Sequence, residues 1–365
     1  MLKPVSQPFC CAALNACFKL QMHLLMWLCD PMTTVSDVTK INLVPPLVPT
    51  QIEADWLWRF LYGKKQTRLG QAKTIAGMSA AEKIALLGWS NSIVGVAAQF
   101  LPAPPVWPTT LPVIHAPAWT AFKGLMDAFY ERGLKSGLPY QADGTPVAAG
   151  GINYANFIQA FRDAHRLSLV PNAREVCVLC GGPLGDTPHV DHWIIKSAVP
   201  LLSVCADNLQ LICSTCNEAP NKGDKPVHTA GSFAEWFHPY LRPGTGVLQL
   251  DYALPELAVR CEAVQPIDKP KADNLNRLLN LAARWTREFK AEYAKQQDVL
   301  RGRERRRVSR GQARHSQPEI QAYVQQWQNE LLPGEPHHEV HHALCTAMLE
   351  PARLAAWHSE LRLVS

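Results

Sequence analysis

Apolar side chains recur at helical spacing in several long stretches of the chain. Between residues 52 and 101, the segments DWLWRFLYG and SAAEKIALLGWSNSIVGVAAQFL place apolar residues near i, i+3 and i+4. This period predicts helices with one buried face. Similar patterns cover residues 118–133 and 153–169, a longer one begins at Asp273, and the tail from Gln317 is again helical in character. The chain is therefore predicted to be mainly α.

Segments rich in proline and glycine separate these patterns. Residues 102–117 are dense in proline, which excludes a regular helix there, and QADGTPVAAGG is typical of a turn. The segment GSFAEWFHPYLRPG predicts a short helix closed by a Pro-Gly turn. A chain of 365 residues exceeds the usual size of one hydrophobic core. The predicted division is an N-terminal extension (1–48), a helical domain (49–170), a central domain (171–260) and a helical C-terminal region (261–365).

The first 31 residues differ from the rest of the chain. They are rich in cysteine and leucine without a clear period, and Lys19 and His23 interrupt an apolar run that is too short to span a bilayer. This pattern argues against both a signal peptide and a membrane anchor. Met32 opens a more ordinary beginning for a soluble chain, so we expect translation to begin there and residues 1–31 to be a misassigned extension.

Positive charge is concentrated near the C-terminus. The net charge of +5 permits a polyanionic partner without identifying one. Residues 301–314, RGRERRRVSRGQAR, hold seven arginines and one acid, which indicates either a solvated face or a contact with phosphates that weakens steeply with salt. The candidate phosphate contacts are Lys222, Lys225, Arg301, Arg303, Arg305, Arg306, Arg307 and Arg310.

The cysteines in the middle of the chain have the spacing of a metal site. Cys177 and Cys180 form one C-x-x-C pair, and Cys213 and Cys216 form another. Each pair can present two thiolates from a tight turn, and four thiolates complete the tetrahedral shell of structural zinc. Cys205 lies outside this spacing and is interpreted as a plain thiol. Thiols grouped in this way favour a reducing compartment, so we expect a cytoplasmic protein.

The residues between the two pairs are themselves candidates for chemistry. HVDHW places Asp191 beside His192, DNLQLIC places Asn208 before the second pair, and STCN places Asn217 directly after it. VDHWII suits a strand, NLQLI suits a returning strand, and STCNEA suits the start of a helix. Together they predict a ββα unit.

Residues 177–223 resemble the HNH endonucleases, the ββα-metal or His-Me finger family, in their four-cysteine version. That family has an Asp-His pair on the first strand, an Asn in the second strand and a His or Asn on the helix after C-x-x-C. Here these positions are Asp191-His192, Asn208 and Asn217. The resemblance covers about 50 of 365 residues and implies a small nuclease module within a mainly α chain.

The resemblance implies a role for each of these residues. His192 would be the general base of phosphodiester hydrolysis, and Asn208 would orient it through a hydrogen bond. Asp191 and Asn217 would hold one divalent ion, Mg²⁺ or Mn²⁺, through oxygen. Double-stranded DNA is the expected partner. Stand-alone HNH proteins with helical flanks resemble restriction or anti-phage defence nucleases, for which an ATPase is an expected protein partner.

The chain departs from the family pattern after the second cysteine pair. Where the family often continues C-N-x-x-K-G, two further residues including a proline separate Asn217 from Lys222. The position of this lysine relative to a phosphate is therefore open. His189, two residues before Asp191, is interpreted either as a strand residue that faces the core or as a further polar contact.

Two other functions compete with this interpretation. The chain could be a zinc-ribbon protein that binds nucleic acid without cutting it. The segment HHEVHH near the C-terminus also contains H-E-x-x-H, the signature of zinc metalloproteases, with His338, Glu339 and His342. Glu360 would be the third ligand. Four histidines in six residues make an accidental match easy, and a surface cluster of histidines is the simpler interpretation.

Overall fold

A computed structural model describes residues 5–63, 65–167, 170–253 and 256–362. Within these ranges the protein is mainly α, with two small antiparallel sheets of two strands each. The helices are α1 (Cys11–Leu28), α2 (Gln51–Tyr62), α3 (Thr67–Ala76), α4 (Ala80–Ile93), α5 (Ala116–Ala128), α6 (Tyr154–Ala164), α7 (Ser214–Asn217), α8 (Lys269–Leu279), α9 (Leu281–Ser309), α10 (Gln317–Glu330), α11 (His338–Met348) and α12 (Pro351–Arg362). The strands are β1 (His189–His192), β2 (Leu209–Ile212), β3 (Leu248–Ala253) and β4 (Ala258–Ala263).

The predicted helical stretches form helices, but their ends follow local chemistry. Residues 52–101 divide into α2, α3 and α4, and Ser79 begins α4 by accepting a hydrogen bond from the amide of Glu82. Helix α5 continues into a π-helical segment, Phe129–Leu134. Helix α6 ends at Ala164, and residues 168–169 of its predicted range lie outside the described residues.

Helix α1 is part of the core and not a loose extension. It packs against α3 and against the 3₁₀ turn Pro200–Val204, which lies between β1 and β2 along the chain, in the central module of residues 177–223. Its apolar face, including Leu14, Leu24 and Leu25, is at most 1% exposed. Because this burial removes a large apolar area from water, α1 contributes to the stability of the module.

Strands β3 and β4, at residues 248–263, form a second sheet that the sequence patterns did not predict. Strands β3 and β4 pair antiparallel, with Leu250 opposite Cys261, so the predicted boundary between residues 260 and 261 falls inside β4. The predicted helix in GSFAEWFHPYLRPG is wrong. Turns occupy it instead, closed by a bridge between His238 and Arg242, because Pro239 has no N–H with which to continue a helix.

The long amphipathic pattern from Asp273 forms two helices. Asn280, at φ +51°, separates α8 from α9, which runs for 29 residues. The buried face of α9 includes Trp285, Phe289 and Leu300 and packs against β4 and α11. No helix within the described residues has the length and apolar character needed to cross a bilayer.

Candidate functional site

Four buried cysteines converge beside the first sheet. The sulfur atoms of Cys177, Cys180, Cys213 and Cys216 all lie within 4.8 Å of one another. Cys177 Sγ is 3.8 Å from Cys216 Sγ, and Cys180 Sγ is 3.9 Å from Cys213 Sγ. A set of four thiolates at this spacing could hold a metal ion such as zinc. Cys205 lies outside the cluster, and burial raises the pKa of its thiol to about 12, as expected of an inert thiol.

Helix α9 supports this cysteine cluster. The guanidinium of Arg284 donates to Cys216 Sγ at 3.2 Å, and the indole N–H of Trp285 donates to the carbonyl of Cys180 at 2.9 Å. A positive charge beside four thiolates offsets part of their negative charge. The amide of Cys213 also donates to Cys177 Sγ at 3.4 Å. The cluster is thus held by both its own turns and a distant helix.

The two strands of the predicted ββα unit pair as the sequence patterns indicate. Asp191 lies opposite Gln210 and His192 opposite Leu209 in an antiparallel ladder. The amide of Trp193 donates to the carbonyl of Asn208 at 2.8 Å, which extends the pairing by one residue. The following helix, α7, is a single turn that carries Asn217 and contacts β1. His192 and Asn208 lie at one end of this sheet, and Asn217 lies beside His189 at the other end.

His192 is buried and held by a backbone carbonyl. Its Nε2 lies 2.9 Å from the carbonyl oxygen of Ser203, and its ring packs edge-on against Tyr130 at 4.9 Å between centroids. Burial lowers the pKa of His192 to about 4, so the imidazole is neutral at pH 7. A carbonyl only accepts hydrogen bonds, so Nε2 carries the proton and the lone pair belongs to Nδ1.

Asn208 acts on the loop around His192 instead of on the ring. Its side-chain oxygen accepts from the amide of Ile194 at 2.6 Å. Its amide group donates to the carbonyls of Ile194 and Leu202, at 3.0 and 3.3 Å. Leu202 precedes Ser203, so Asn208 fixes the segment whose carbonyl holds the imidazole. The predicted direct bond from Asn208 to His192 is replaced by this indirect support.

Asp191 forms a buried ion pair with Lys222. The lysine Nζ lies 2.9 Å from Asp191 Oδ1 and also donates to the carbonyl of His192 at 2.9 Å. Gln210 donates to Asp191 Oδ2 at 3.1 Å. The side chain of Lys222 is 1% exposed, so it does not lie at the surface where the sequence placed a phosphate contact. Lys225 remains exposed on the same loop and donates to the carbonyl of Pro220.

Asn217 and His189 lie side by side at the open edge of the module. Asn217 Nδ2 is 3.2 Å from His189 Nδ1, and His189 is exposed. His189 is therefore a polar contact and not a residue that faces the core. Among the described residues, the side-chain oxygen of Asn217 has no hydrogen-bond partner. It is available to a cation.

The arginine-rich run is partly committed to contacts within the protein. Arg301 pairs with Asp298 at 3.3 Å, and Arg307 pairs with Glu319 at 2.8 Å. The guanidinium of Arg303 lies 4.6 Å from the ring centroid of Tyr323. Three predicted phosphate contacts are exposed and form no such pairing with any residue that the structure describes: Arg305, Arg306 and Arg310.

Three arginines that the sequence patterns did not identify converge on a cavity. Arg59, Arg68 and Arg132 line a space of about 480 Å³, and no acidic residue of the described chain lines it. Within the described residues, the amides of residues 148–151 donate to no backbone carbonyl. They belong to the glycine turn on one side of this cavity, where a Cβ on Gly151 would lie 1.9 Å from a carbonyl oxygen. Free amides and guanidinium groups together favour an anion.

The π-helical segment contributes to both this cavity and the surroundings of His192. Tyr130 packs on the imidazole, and Arg132, two residues later, lines the cavity. Lys196, four residues after His192, is bonded to Glu131 at 2.6 Å. No local motif marks these arginines, because they lie in separate elements that only the fold brings together.

The histidines of HHEVHH divide between two faces of α11. The ring centroids of His338 and His342 are 6.0 Å apart. Together with Glu339, these histidines line a groove against β3. Glu360, the predicted third ligand, accepts from Gln297 at 2.5 Å on a different helix. Within the described residues, no group of metal-ligating atoms forms around His338 and His342. The metalloprotease interpretation has no support from this arrangement.

Comparisons with known proteins add no further identification. No family model, curated protein or solved structure matches this chain. The resemblance to HNH endonucleases therefore rests on the residues between Cys177 and Gly223 alone.

Proposed function

We propose that the protein is a metal-dependent endonuclease of the HNH type that hydrolyses phosphodiester bonds in DNA. The observation that carries the proposal is the state of His192. Its proton is fixed on Nε2 by the Ser203 carbonyl at 2.9 Å, its pKa is about 4, and the lone pair on Nδ1 has no partner among the described residues. A neutral imidazole held in one tautomer is suited to accept a proton from water.

In the proposed reaction, Nδ1 of His192 takes a proton from the attacking water. The water oxygen forms a bond to phosphorus, and the bond from phosphorus to the 3′ oxygen breaks. The leaving oxygen takes a proton from solvent. Ser203 holds the ring in place through its carbonyl, and Asn208 keeps that carbonyl in position through Leu202.

The side-chain oxygens of Asp191 and Asn217 are of the kind that a hard divalent ion binds. An ionised carboxylate has about four lone-pair sites, so the two hydrogen bonds to Asp191 leave others open. Asn217 offers a side-chain oxygen. Asp191 and Asn217 would hold Mg²⁺ or Mn²⁺, which supplies positive charge at the phosphate and at the leaving oxygen. Lys222 competes with the ion for the carboxylate of Asp191. The ion binds either after the ammonium group of Lys222 moves away or at a lone pair of the carboxylate that Lys222 leaves open.

Positive groups in several parts of the protein support a nucleic-acid substrate. Arg59, Arg68 and Arg132 line one cavity, and exposed Arg305 and Arg306 lie on α9. Guanidinium groups contact backbone phosphates without reading sequence, so such binding weakens steeply with salt. A role in anti-phage defence or restriction, with an ATPase partner, stays a prediction from the resemblance.

The test is nicking of supercoiled plasmid in the presence of Mg²⁺. His192→Gln should reduce the nicking rate at least about 100-fold, because the general base is lost. His228→Gln, at a half-buried histidine outside the module, is the matched control and should nick at the wild-type rate. Zinc content, measured on each protein, should be unchanged.

Equal nicking by wild type and His192→Gln would overturn the proposal. Binding of DNA without nicking by any of these proteins would instead favour the alternative function, a zinc-ribbon protein that binds nucleic acid without cutting it.

A further inference from the structure

We propose that a second metal ion binds between α9 and α11, held by Glu288, Glu292, His337 and His341. This site is separate from the cysteine cluster and from Asp191 and Asn217. It takes a first-row divalent ion such as Zn²⁺. The inference does not depend on nuclease activity.

Two helices present their ligands at matching intervals. Glu288 and Glu292 are one turn apart on α9, and His337 and His341 are one turn apart at the start of α11. Residues four apart project from the same face of a helix, so two carboxylates face two imidazoles. One carboxylate oxygen from each glutamate and one nitrogen of His341 lie within 4.8 Å of one another.

The two nitrogen-to-oxygen distances from the histidines to Glu288 lie on either side of the distance between two ligands of a tetrahedral ion. His341 Nε2 is 2.9 Å from Glu288 Oε1, and His337 Nε2 is 3.8 Å from Glu288 Oε2. Ligands at about 2.1 Å from a tetrahedral zinc are about 3.4 Å from each other. Both imidazoles already turn Nε2 toward the carboxylate of Glu288. The atoms of Glu288, Glu292 and His341 lie within 4.8 Å of one another, and His337 lies outside that set. His337 therefore has to move toward the other three to become the fourth ligand.

The charge balance of Glu292 also favours a cation at this position. Its side chain is 8% exposed, and its ion-pair partner is Lys295, which is 65% exposed and reaches it at 3.0 Å. Gln296 donates to the same carboxylate at 2.7 Å. A buried carboxylate compensated only by a flexible surface lysine is poorly stabilised. Imidazole and carboxylate together form a ligand set suited to zinc and similar ions.

The site lies against the turn of the first cysteine pair. The amide of His337 donates to the carbonyl of Gly181 at 2.6 Å, and a Cβ on Gly182 would lie 2.8 Å from the His337 ring. Helix α9 carries Arg284 to the cysteine cluster and, one turn later, Glu288 to the histidines. An ion here would fasten α11 to α9 and to the cysteine turn.

The neighbouring histidines provide a matched control on the same helix. His338 and His342 have the same spacing as His337 and His341 but face the groove against β3. Full-length protein is equilibrated with Zn²⁺, freed of unbound metal, and its zinc content per chain is measured. His337→Ala/His341→Ala should hold one ion fewer than wild type, whereas His338→Ala/His342→Ala should hold as many.

Cobalt substitution separates the two centres in the same samples. Co²⁺ bound to four thiolates has an intense sulfur-to-metal charge-transfer band, which an imidazole and carboxylate site lacks. The His337→Ala/His341→Ala protein should keep this band, which shows that the cysteine module is folded, while it loses one equivalent of Co²⁺. Glu288→Gln, which keeps a hydrogen-bonding side chain, should weaken binding of the second ion at least tenfold.

Equal zinc content in wild type and His337→Ala/His341→Ala would overturn the proposal. Loss of the ion in the His338→Ala/His342→Ala protein instead would do the same. If the His337→Ala/His341→Ala protein also loses the thiolate band, unchanged affinity in Glu288→Gln decides against the site.

Discussion

At the scale of single residues, the ion pair of Asp191 and Lys222 determines whether the carboxylate of Asp191 can bind the proposed divalent ion. Both side chains are at most 7% exposed, and the lysine also bonds the carbonyl of His192. Their mutual attraction compensates for the cost of burying each charge. The same lysine that fixes the Asp-His strand thereby occupies the carboxylate that the resemblance assigns to a divalent ion.

Replacement of this lysine tests the ion pair. Lys222→Met leaves the carboxylate of Asp191 buried without a cation and should lower the free energy of unfolding by about 3 kcal/mol. Lys225→Met, at the exposed lysine on the same loop, should change it by less than about 0.5 kcal/mol. Urea denaturation followed by tryptophan fluorescence measures both. Equal effects of the two substitutions would show that the buried carboxylate of Asp191 does not depend on Lys222 for compensation.

At the scale of elements, α1 connects the N-terminal helices to the central module. It packs on the 3₁₀ turn Pro200–Val204, whose carbonyl at Ser203 holds His192. The polar end of Gln21 is also buried there, 3.1 Å from the sulfur of Met126. The position of the proposed base thus depends on a helix at the other end of the N-terminal half of the sequence. The predicted start of translation at Met32 stays a prediction, for N-terminal mass spectrometry of protein made from its own locus to test.

Removal of α1 should therefore destabilise the module. A chain that begins at Met32 exposes the surface that Leu14, Leu24 and Leu25 cover, and should melt at least about 10 °C below the full chain. In the full chain, Leu24→Ala should cost about 2–5 kcal/mol, whereas Met26→Ala, at a residue 54% exposed, should be nearly neutral. A shortened chain with the melting temperature of the full chain would contradict this role.

At the scale of the whole molecule, the regions predicted from sequence share one core. Buried apolar residues from α1 through the central strands to α12 form a single contiguous cluster. Helix α9 packs in this core. It contacts the cysteine cluster through Arg284, near its start, and it also packs against the C-terminal helices α11 and α12. A disturbance of the cysteine cluster should therefore spread to the C-terminal helices.

Three buried histidines should make this core sensitive to acid. Burial lowers the pKa of His165 and of His192 to about 4 and that of His238 to about 3, below the value of 6.5 in the unfolded chain. Between these values the unfolded chain binds protons that the folded chain does not. Stability should therefore fall as the pH decreases from about 6.5, with a slope of at most about 1.4 kcal/mol per pH unit for each histidine.

Denaturation with urea at several pH values measures this slope. His238→Gln should reduce the slope between pH 6.5 and 4, and His342→Gln, at an exposed histidine, should leave it as in wild type. A stability that does not change over this range would contradict the assignment of buried neutral histidines.

The sequence by itself determined the features of this protein that depend on residues close together in the chain, namely most helices and the cysteine pairs. Helical periodicity located most helices, and the spacing of cysteines identified a four-sulfur cluster, because both patterns depend on residues close together in the chain. The same holds for the antiparallel strands that carry Asp191 and His192. The hairpin of β3 and β4 was not predicted, although LQLDY and VRCE each alternate apolar and polar residues as half-buried strands do.

Only the tertiary structure decided which groups meet across the fold. It gave His192 the carbonyl of Ser203 as a partner, buried Lys222 against Asp191, and gathered Arg59, Arg68 and Arg132 at one cavity. It also turned the two histidine pairs of α11 toward different neighbours. Such contacts depend on the path of the chain between distant residues and on the burial that this path creates, and no local pattern of residues contains either.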